Sequence, residues 1–337
     1  MKSSLIVILI VFILAVSAPT QTSRKSRHPG IQLFEQAKFS EAIIAFETAT
    51  KTEESKSNPE IWNYLGLSYL AKDKLKEARK AFEKSVDLQP KSSIFQSNLA
   101  YAYFLSHQLK KASDAANAAI KLDARNPDPY QVRASVNLWN HNLDSAERDV
   151  DAFIQLAPTN PQGYIIKSDI LLADLSAKFM SGKTVREEID LLKRASQTLG
   201  TGKAKCNGND RCADLEREYG SVNAFYEYFL RDGSSPPLIP DQPNAPQPGV
   251  TPVKILYQPK ANYTDEARYV NVQGAVRVAI LLGATGKVEQ IMFLSKLGFG
   301  LDQEVLKAAK AIKFEPKTVD GKATSTVIVR EYTFSTY

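Results

Sequence analysis

The chain has 337 residues, 43% hydrophobic and 24% charged, which is ordinary for soluble protein and leaves room for two or three domains. Its net charge is +6, but basic and acidic residues are interleaved throughout. No basic stripe with aromatics is visible, which excludes the usual footprint of a nucleic-acid-binding protein.

At the N-terminus, Lys2 precedes an apolar run from Leu5 to Val16, and Ser17-Ala18 follows. This charged, apolar, small-residue order predicts a secretory signal over residues 1–18, cleaved after Ala18. The run is shorter than the ~20 residues of a membrane-spanning helix. An uncleaved anchor over residues 3–18 is the alternative. No cysteine lies near the site, so a lipoprotein anchor is excluded, and Arg24, Lys25 and Arg27 read as a solvated start to the mature chain.

A period of 34 residues follows, marked by Asn58-Pro59, Asn126-Pro127 and Asn160-Pro161; the start expected near Ser93 lacks the proline. Trp62, Leu65, Gly66, Tyr69, Ala78, Phe82 and Pro90 stand at the spacings of a tetratricopeptide repeat. Gly66 and Ala78 are small where two helices cross closely, the large residues fill the space between pairs, and Pro90 ends the second helix. The next unit keeps Leu99, Ala100, Tyr103, Ala112 and Ala119, and the third keeps Tyr130, Ala134, Ala146 and Pro158. Upstream, Ala42, Phe46 and Ala49 mark a further second helix; downstream, Tyr164 and Leu171 begin another first helix. Residues 30–180 therefore resemble a tetratricopeptide-repeat protein, with enough repeats for a stable all-α solenoid.

Two more helices are predicted over Thr184–Leu199 and Asp210–Asp232, so that residues 181–232 form a helical cap. The second is rich in aromatics (Tyr219, Phe225, Tyr226, Tyr228, Phe229) and reads as a cover for the end of the solenoid or as a docking surface. Cys206 and Cys212, the only cysteines, flank a loop of turn formers and predict a local disulfide. Residues 233–252 hold seven prolines and predict an extended spacer. It is expected to keep the core of the cap apart from that of the C-terminal module.

Residues 253–337 predict a small α+β module. Val276, Val278, Ile280 and Leu282 alternate as in a half-buried strand, Gly283-Ala284-Thr285-Gly286 turns the chain, and a second strand runs to Ser295. Val305, Leu306, Ala309 and Ile312 fall at helical spacing, and a final strand is expected from Thr324 to Tyr337. The module resembles the C-terminal domain of TonB-family proteins. The resemblance rests on Gly274-Ala275-Val276, Gly286-Lys287-Val288, Ser295, Leu301-Asp302 as a helix cap, Phe314-Glu315-Pro316 and Gly321. Tyr263-Thr264 stands where the family has Tyr-Pro, a departure. The match covers about a quarter of the chain, and its specificity lies in the order and spacing of the markers.

No nucleophile elbow, zincin motif or paired-cysteine zinc pattern occurs, and three scattered histidines offer little for acid–base work, so no catalytic, metal or cofactor site is expected. Ser181-Gly182-Lys183-Thr184 resembles the tail of a phosphate-binding loop, but Ala177 replaces the required glycine in a helical context. Asn262-Tyr263-Thr264 is a formal glycosylation sequon.

The expected function is binding of protein partners, not of nucleic acid or a small-molecule substrate. By the repeat resemblance the groove is lined by Asn63, Leu67, Leu70, Tyr101, Phe104, Trp139 and Ile165, and an apolar groove suits an extended or helical hydrophobic segment. The TonB resemblance implies strand addition along Val327, Val329, Glu331 and Thr333, with outer-membrane TonB-dependent transporters as partners. These readings describe an exported, non-enzymatic adaptor of the periplasm. The alternative is an energy transducer held at the inner membrane by residues 3–18; against it, Leu5–Val16 has no ionisable residue and no histidine precedes His28.

Overall fold

The computed structural model describes residues 28–181, 185–206, 210–232 and 248–335. The signal segment, the basic cluster after it, Gly182–Thr184, Asn207–Asn209 of the cysteine loop and the proline-rich stretch to residue 247 lie outside the described residues. By compactness the chain forms two units, Met1–Val136 and Asn137–Tyr337.

The first unit is built from helices α1 (Pro29–Glu35), α2 (Phe39–Ala49), the short α3 (Glu53–Lys56), α4 (Pro59–Ala71), α5 (Leu75–Leu88), α6 (Ser93–Leu105), α7 (Leu109–Leu122) and most of α8 (Asp128–Trp139). Asn58 starts α4: its side-chain oxygen accepts from the Glu60 N–H, and Pro59 occupies the first turn, where a missing N–H costs nothing. The unit without the Asn-Pro start uses Ser92 instead, whose hydroxyl oxygen accepts from Phe95 N–H. First helices end in a tight turn with one residue in the left-handed region: Ala37, Asp73, His107 and His141, at φ 57°, 58°, 55° and 57°. Two of the three histidines are thereby placed at helix-pair turns.

The helices of a pair pack without clearance. A Cβ on Gly66 would stand 2.6 Å from the Phe82 ring, and one on Gly30 would stand 2.7 Å from the Phe46 ring. The same glycine-on-ring contact, 16 residues apart each time, makes α1–α2 a repeat of the same kind as α4–α5. Phe46, Ala78 and Phe82 are wholly buried in one continuous core with Leu65, Leu67 and Leu70.

The second unit begins with the end of α8 and continues with α9 (Leu143–Leu156), α10 (Pro161–Met180), α11 (Val185–Lys205) and α12 (Asp210–Asp232). Asn160 and Pro161 start α10 as Asn58 and Pro59 start α4. A disulfide between Cys206 and Cys212 joins the end of α11 to the start of α12.

The C-terminal module follows with β1 (Val250–Thr251), β2 (Lys254–Tyr257), α13 (Asp265–Tyr269), β3 (Gly274–Leu282), β4 (Val288–Ser295), α14 (Leu301–Lys310), β5 (Lys313–Glu315), β6 (Lys317–Val319), β7 (Lys322–Thr324) and β8 (Thr326–Phe334). Its main sheet is antiparallel in the order β4-β3-β8, with Ala279 opposite Met292 on one side and Val329 on the other. Two small ladders, β1-β6-β7 and β2-β5, flank it. The final strand is shorter than expected: the chain breaks at Ser325, so Thr324 belongs to the β6–β7 hairpin turned by Asp320 and Gly321.

One face of the main sheet carries Val276, Val278, Ile280 and Leu282 and packs on Leu301, Val305 and Ala309 of α14. The other face is also covered. Ala279, Leu281, Met292, Leu294, Val327 and Val329 share a core with Leu171 and Leu175 of α10, Leu192 of α11 and Phe225 and Phe229 of α12. Strand β3 is therefore buried on both faces, not on one, and the cap and module share a core in spite of the proline-rich stretch between them. Physically, Val278 to Leu282 is a continuous apolar run, and such runs belong to strands covered on both sides.

Candidate functional site

Two surfaces bear on partner binding. The first is the outer edge of β8. Among the described residues β8 forms a ladder with β3 alone; α10 and α12 approach closest to β4, and the core they share with the sheet also takes in Val327 and Val329 of β8. The four residues expected there share one face of the strand, and the extent of the cap divides them. Val327 and Val329 bury their side chains in the shared core, whereas Glu331 and Thr333, beyond the cap, are exposed. Glu331 accepts from Arg277 Nε of β3 at 2.6 Å. What β8 has to offer a partner is main-chain donors and acceptors, since its side chains are largely engaged. Tyr332 and Phe334 lie in the opposite core, and burial pushes the Tyr332 phenol up.

The second surface is that of the repeats. Here the structure removes three residues from the expected groove lining. Leu67 and Leu70 are 2% and 3% exposed, in the core between helices. Asn63 is buried too, and its Oδ1 accepts from Asn98 Nδ2 at 2.7 Å, a polar link from α4 to α6. The reason is that α4 packs on α5 of its own repeat and on α2 of the repeat before, which turns these positions into the core between helices. Tyr101 and Phe104 remain half-buried against Ala100 and Ala112. Nearby, Tyr103 donates to Glu83 at 3.1 Å, and burial together with that carboxylate pushes its phenol up to about 12.

Trp139 and Ile165 belong to the second unit, and Trp139 meets the chain's own C-terminal module. The Trp139 ring stands edge-on to Phe299, with centroids 6.2 Å apart, and Ile165 packs against the shared core. Phe299 sits in the loop 296–300 between β4 and α14. That loop is held from behind by Asp302, whose carboxylate accepts from Leu297 N and Gly298 N, both at 3.0 Å. The helix cap that Leu301-Asp302 predicts is not formed by Asp302: the N-cap is Gly300 in the left-handed region, and the carboxylate turns back to the loop instead. Thr264, the departure from Tyr-Pro, caps α13 by accepting from Ala267 N at 3.2 Å and donates to Phe299 O at 2.6 Å. The substitution thus exchanges a fixed backbone angle for two hydrogen bonds.

The contact between cap and module includes a charged cluster that no sequence pattern announced. Lys296 Nζ lies 2.8 Å from Asp169 Oδ1 on α10 and 3.0 Å from Glu218 Oε1 on α12. Ser221 of α12 donates to Ile291 O at 2.5 Å. Among the described residues no group of three or more His, Cys, Asp or Glu is placed to hold a metal ion, and no helix is long and apolar enough to cross a membrane.

A helical repeat array followed by a β4-β3-β8 sheet with α14 on one face defines a repeat protein with a small α+β module. Residues 59–92 match the tetratricopeptide repeat, and residues 259–336 match the Gram-negative bacterial TonB protein C-terminal. Both are non-catalytic interaction families. Similar solved structures include MamA, with 21% identity over 52% of this chain and 96% of that one at a TM-score of 0.44. They include a thermophilic tetratricopeptide-repeat protein of Thermus thermophilus, with 19% identity over 58% of this chain and 95% of that one at 0.45. A third is YrrB, described as a tetratricopeptide-repeat protein with an unusual peptide-binding site, with 15% identity over 56% and 88% at 0.40. No curated protein sequence matches the chain significantly.

Proposed function

We propose that this protein is a non-enzymatic adaptor of the cell envelope that recruits a protein partner by adding the partner's strand to the outer edge of β8. The observation that carries this reading is the open edge itself: β8 ends the β4-β3-β8 sheet within a module that matches the TonB C-terminal. An extended segment paired there gains main-chain hydrogen bonds without requiring β8 to move its side chains. The partner class that fits is an extended segment of an outer-membrane transporter. Export to the periplasm follows from the predicted signal at residues 1–18. The exposed parts of the repeat surface near Tyr101 and Phe104 supply a second, separate contact for an apolar segment.

The test uses two neighbouring proline variants of the full chain. Successive N–H groups of a strand point to opposite sides, so of Ile328 and Val329 one feeds the β3 ladder and the other faces outward. The variant that stays folded by circular dichroism is the outward one. It is expected to lose binding of a synthetic peptide from the N-terminal segment of a TonB-dependent transporter, measured by titration. A folded variant that binds the peptide normally overturns strand addition.

The match over residues 259–336 also favours a second reading, a TonB-type energy transducer anchored in the inner membrane by residues 3–18. The N-terminal sequence of the mature protein separates the two: a start after Ala18 supports the adaptor, and a retained Met1 in the membrane fraction supports the transducer.

A further inference from the structure

The contact between cap and module holds more negative charge than it compensates. Asp169 of α10 and Glu218 of α12 share the single ammonium of Lys296. A third carboxylate, Asp302 of α14, stands behind the same loop, accepts from the Leu297 and Gly298 N–H groups and feels the same Lys296 charge. The other cations at hand are committed elsewhere: Arg217, next to Glu218, pairs with Asp214 on its own helix, and Arg277 of β3 pairs with Glu331. The side chains of Asp169, Glu218 and Lys296 are only 22–23% exposed, and the Lys296 ammonium lies over the Phe293 ring. Like charges crowded into a partly dry site hold a proton that they would release to water when separated.

We propose that the docking of the C-terminal module on the helical cap is a proton-linked latch, in which closing the contact takes up a proton into the Asp169–Glu218–Lys296 cluster, so that mild acid tightens it. Asp169 and Glu218 belong to the cap and Lys296 to the module, so the cluster exists only when the two are docked. On undocking, both carboxylates return to water. Burial, opposed by Lys296 and reinforced by Glu218, holds the Asp169 carboxyl up at about 6 in the docked form. Burial likewise pushes Asp302 up. A carboxyl raised in the closed form binds more protons closed than open. Closure therefore gains as pH falls through about 6 toward the ordinary carboxylate value, and the gain is lost as pH rises through about 6. The direction is opposite to that of a simple surface ion pair, which acid would weaken.

Hydrogen exchange of the full chain tests this, with rates corrected for their intrinsic pH dependence. Protection of segments 215–229 and 288–295 is expected to rise roughly three- to tenfold from about pH 7.5 to about pH 5, with the lower figure allowing for the residual exposure of the cluster. Segments 59–122, in the other unit, serve as the internal control. Asp169→Asn removes one excess charge and is expected to raise protection at neutral pH and flatten the acid response. Glu218→Gln is the second variant if Asp169→Asn does not fold, and a flattened response in either supports the latch. Lys296→Met leaves the carboxylates without a cation and is expected to lower neutral protection while steepening the acid response. Equal or lower protection at about pH 5 in the unmodified chain overturns the latch, as does an unaltered acid response in both carboxylate variants.

Discussion

Tyr228 of α12 donates its hydroxyl to the main-chain carbonyl of Ser325 at 3.0 Å, at the break between β7 and β8. The bond ties an aromatic of the cap to the point where the final strand begins. Tyr228→Phe removes only the donor. It is expected to cost about 0.5–1.5 kcal/mol, as for a typical internal hydrogen bond. Hydrogen exchange is expected to show the loss in segment 326–334 first, ahead of the helices.

Leu281→Ala tests the second covered face of the sheet. Leu281 is 7% exposed and points to the cap. Its truncation is expected to cost about 2–5 kcal/mol by denaturant unfolding, as for buried leucines. A cost below ~1 kcal/mol would show that the cap does not cover this face. For the same reason the module cut out at residue 248 is expected to bind hydrophobic dyes and self-associate, because it exposes the face lined by Met292, Leu294, Val327 and Val329.

This face also shows where sequence reasoning reaches its limit. The alternation of Val276, Val278, Ile280 and Leu282 predicts one buried face correctly, and the intervening Ala279 and Leu281 are a readable sign of the other. The repeats are legible because Gly66 and Phe82 meet at a fixed local spacing. The Lys296–Asp169 pair is not legible, since its members are 127 residues apart and each alone looks like a solvated charge. Nor is the burial of Leu67 and Leu70, which depends on how closely neighbouring helices pack and not on the pattern within one helix.

Two glycine substitutions are expected to have opposite signs. Gly66→Ala places a methyl carbon 2.6 Å from the Phe82 ring and is expected to cost about 1–3 kcal/mol through overpacking. Gly220→Ala, in α12 with nothing within 4 Å, is expected to stabilise by up to about 1 kcal/mol through helix propensity. Thermal unfolding of the two variants checks both.

Reduction of Cys206–Cys212 opens a short loop, worth about 2 kcal/mol on the chain-entropy estimate. Because the cap and module share one core, the loss is expected to spread to the β4-β3-β8 sheet as well as the cap helices. Proteolysis of the reduced protein is expected to cut within residues 248–335 sooner than in the oxidised form. Unaltered resistance there would mean that the module keeps its stability without the cap.

The open edge of β8 has a cost beyond the recruitment proposed for it. A strand that accepts a foreign segment accepts a second copy of itself on the same terms. Most of Thr326–Phe334 is built from β-branched and aromatic residues, and only the adjacent Arg330 and Glu331 interrupt it. Those two charges, one held by Gln258 and the other by Arg277, act as gatekeepers against self-pairing. Neutralising both would turn an open edge into the seed of a fibril.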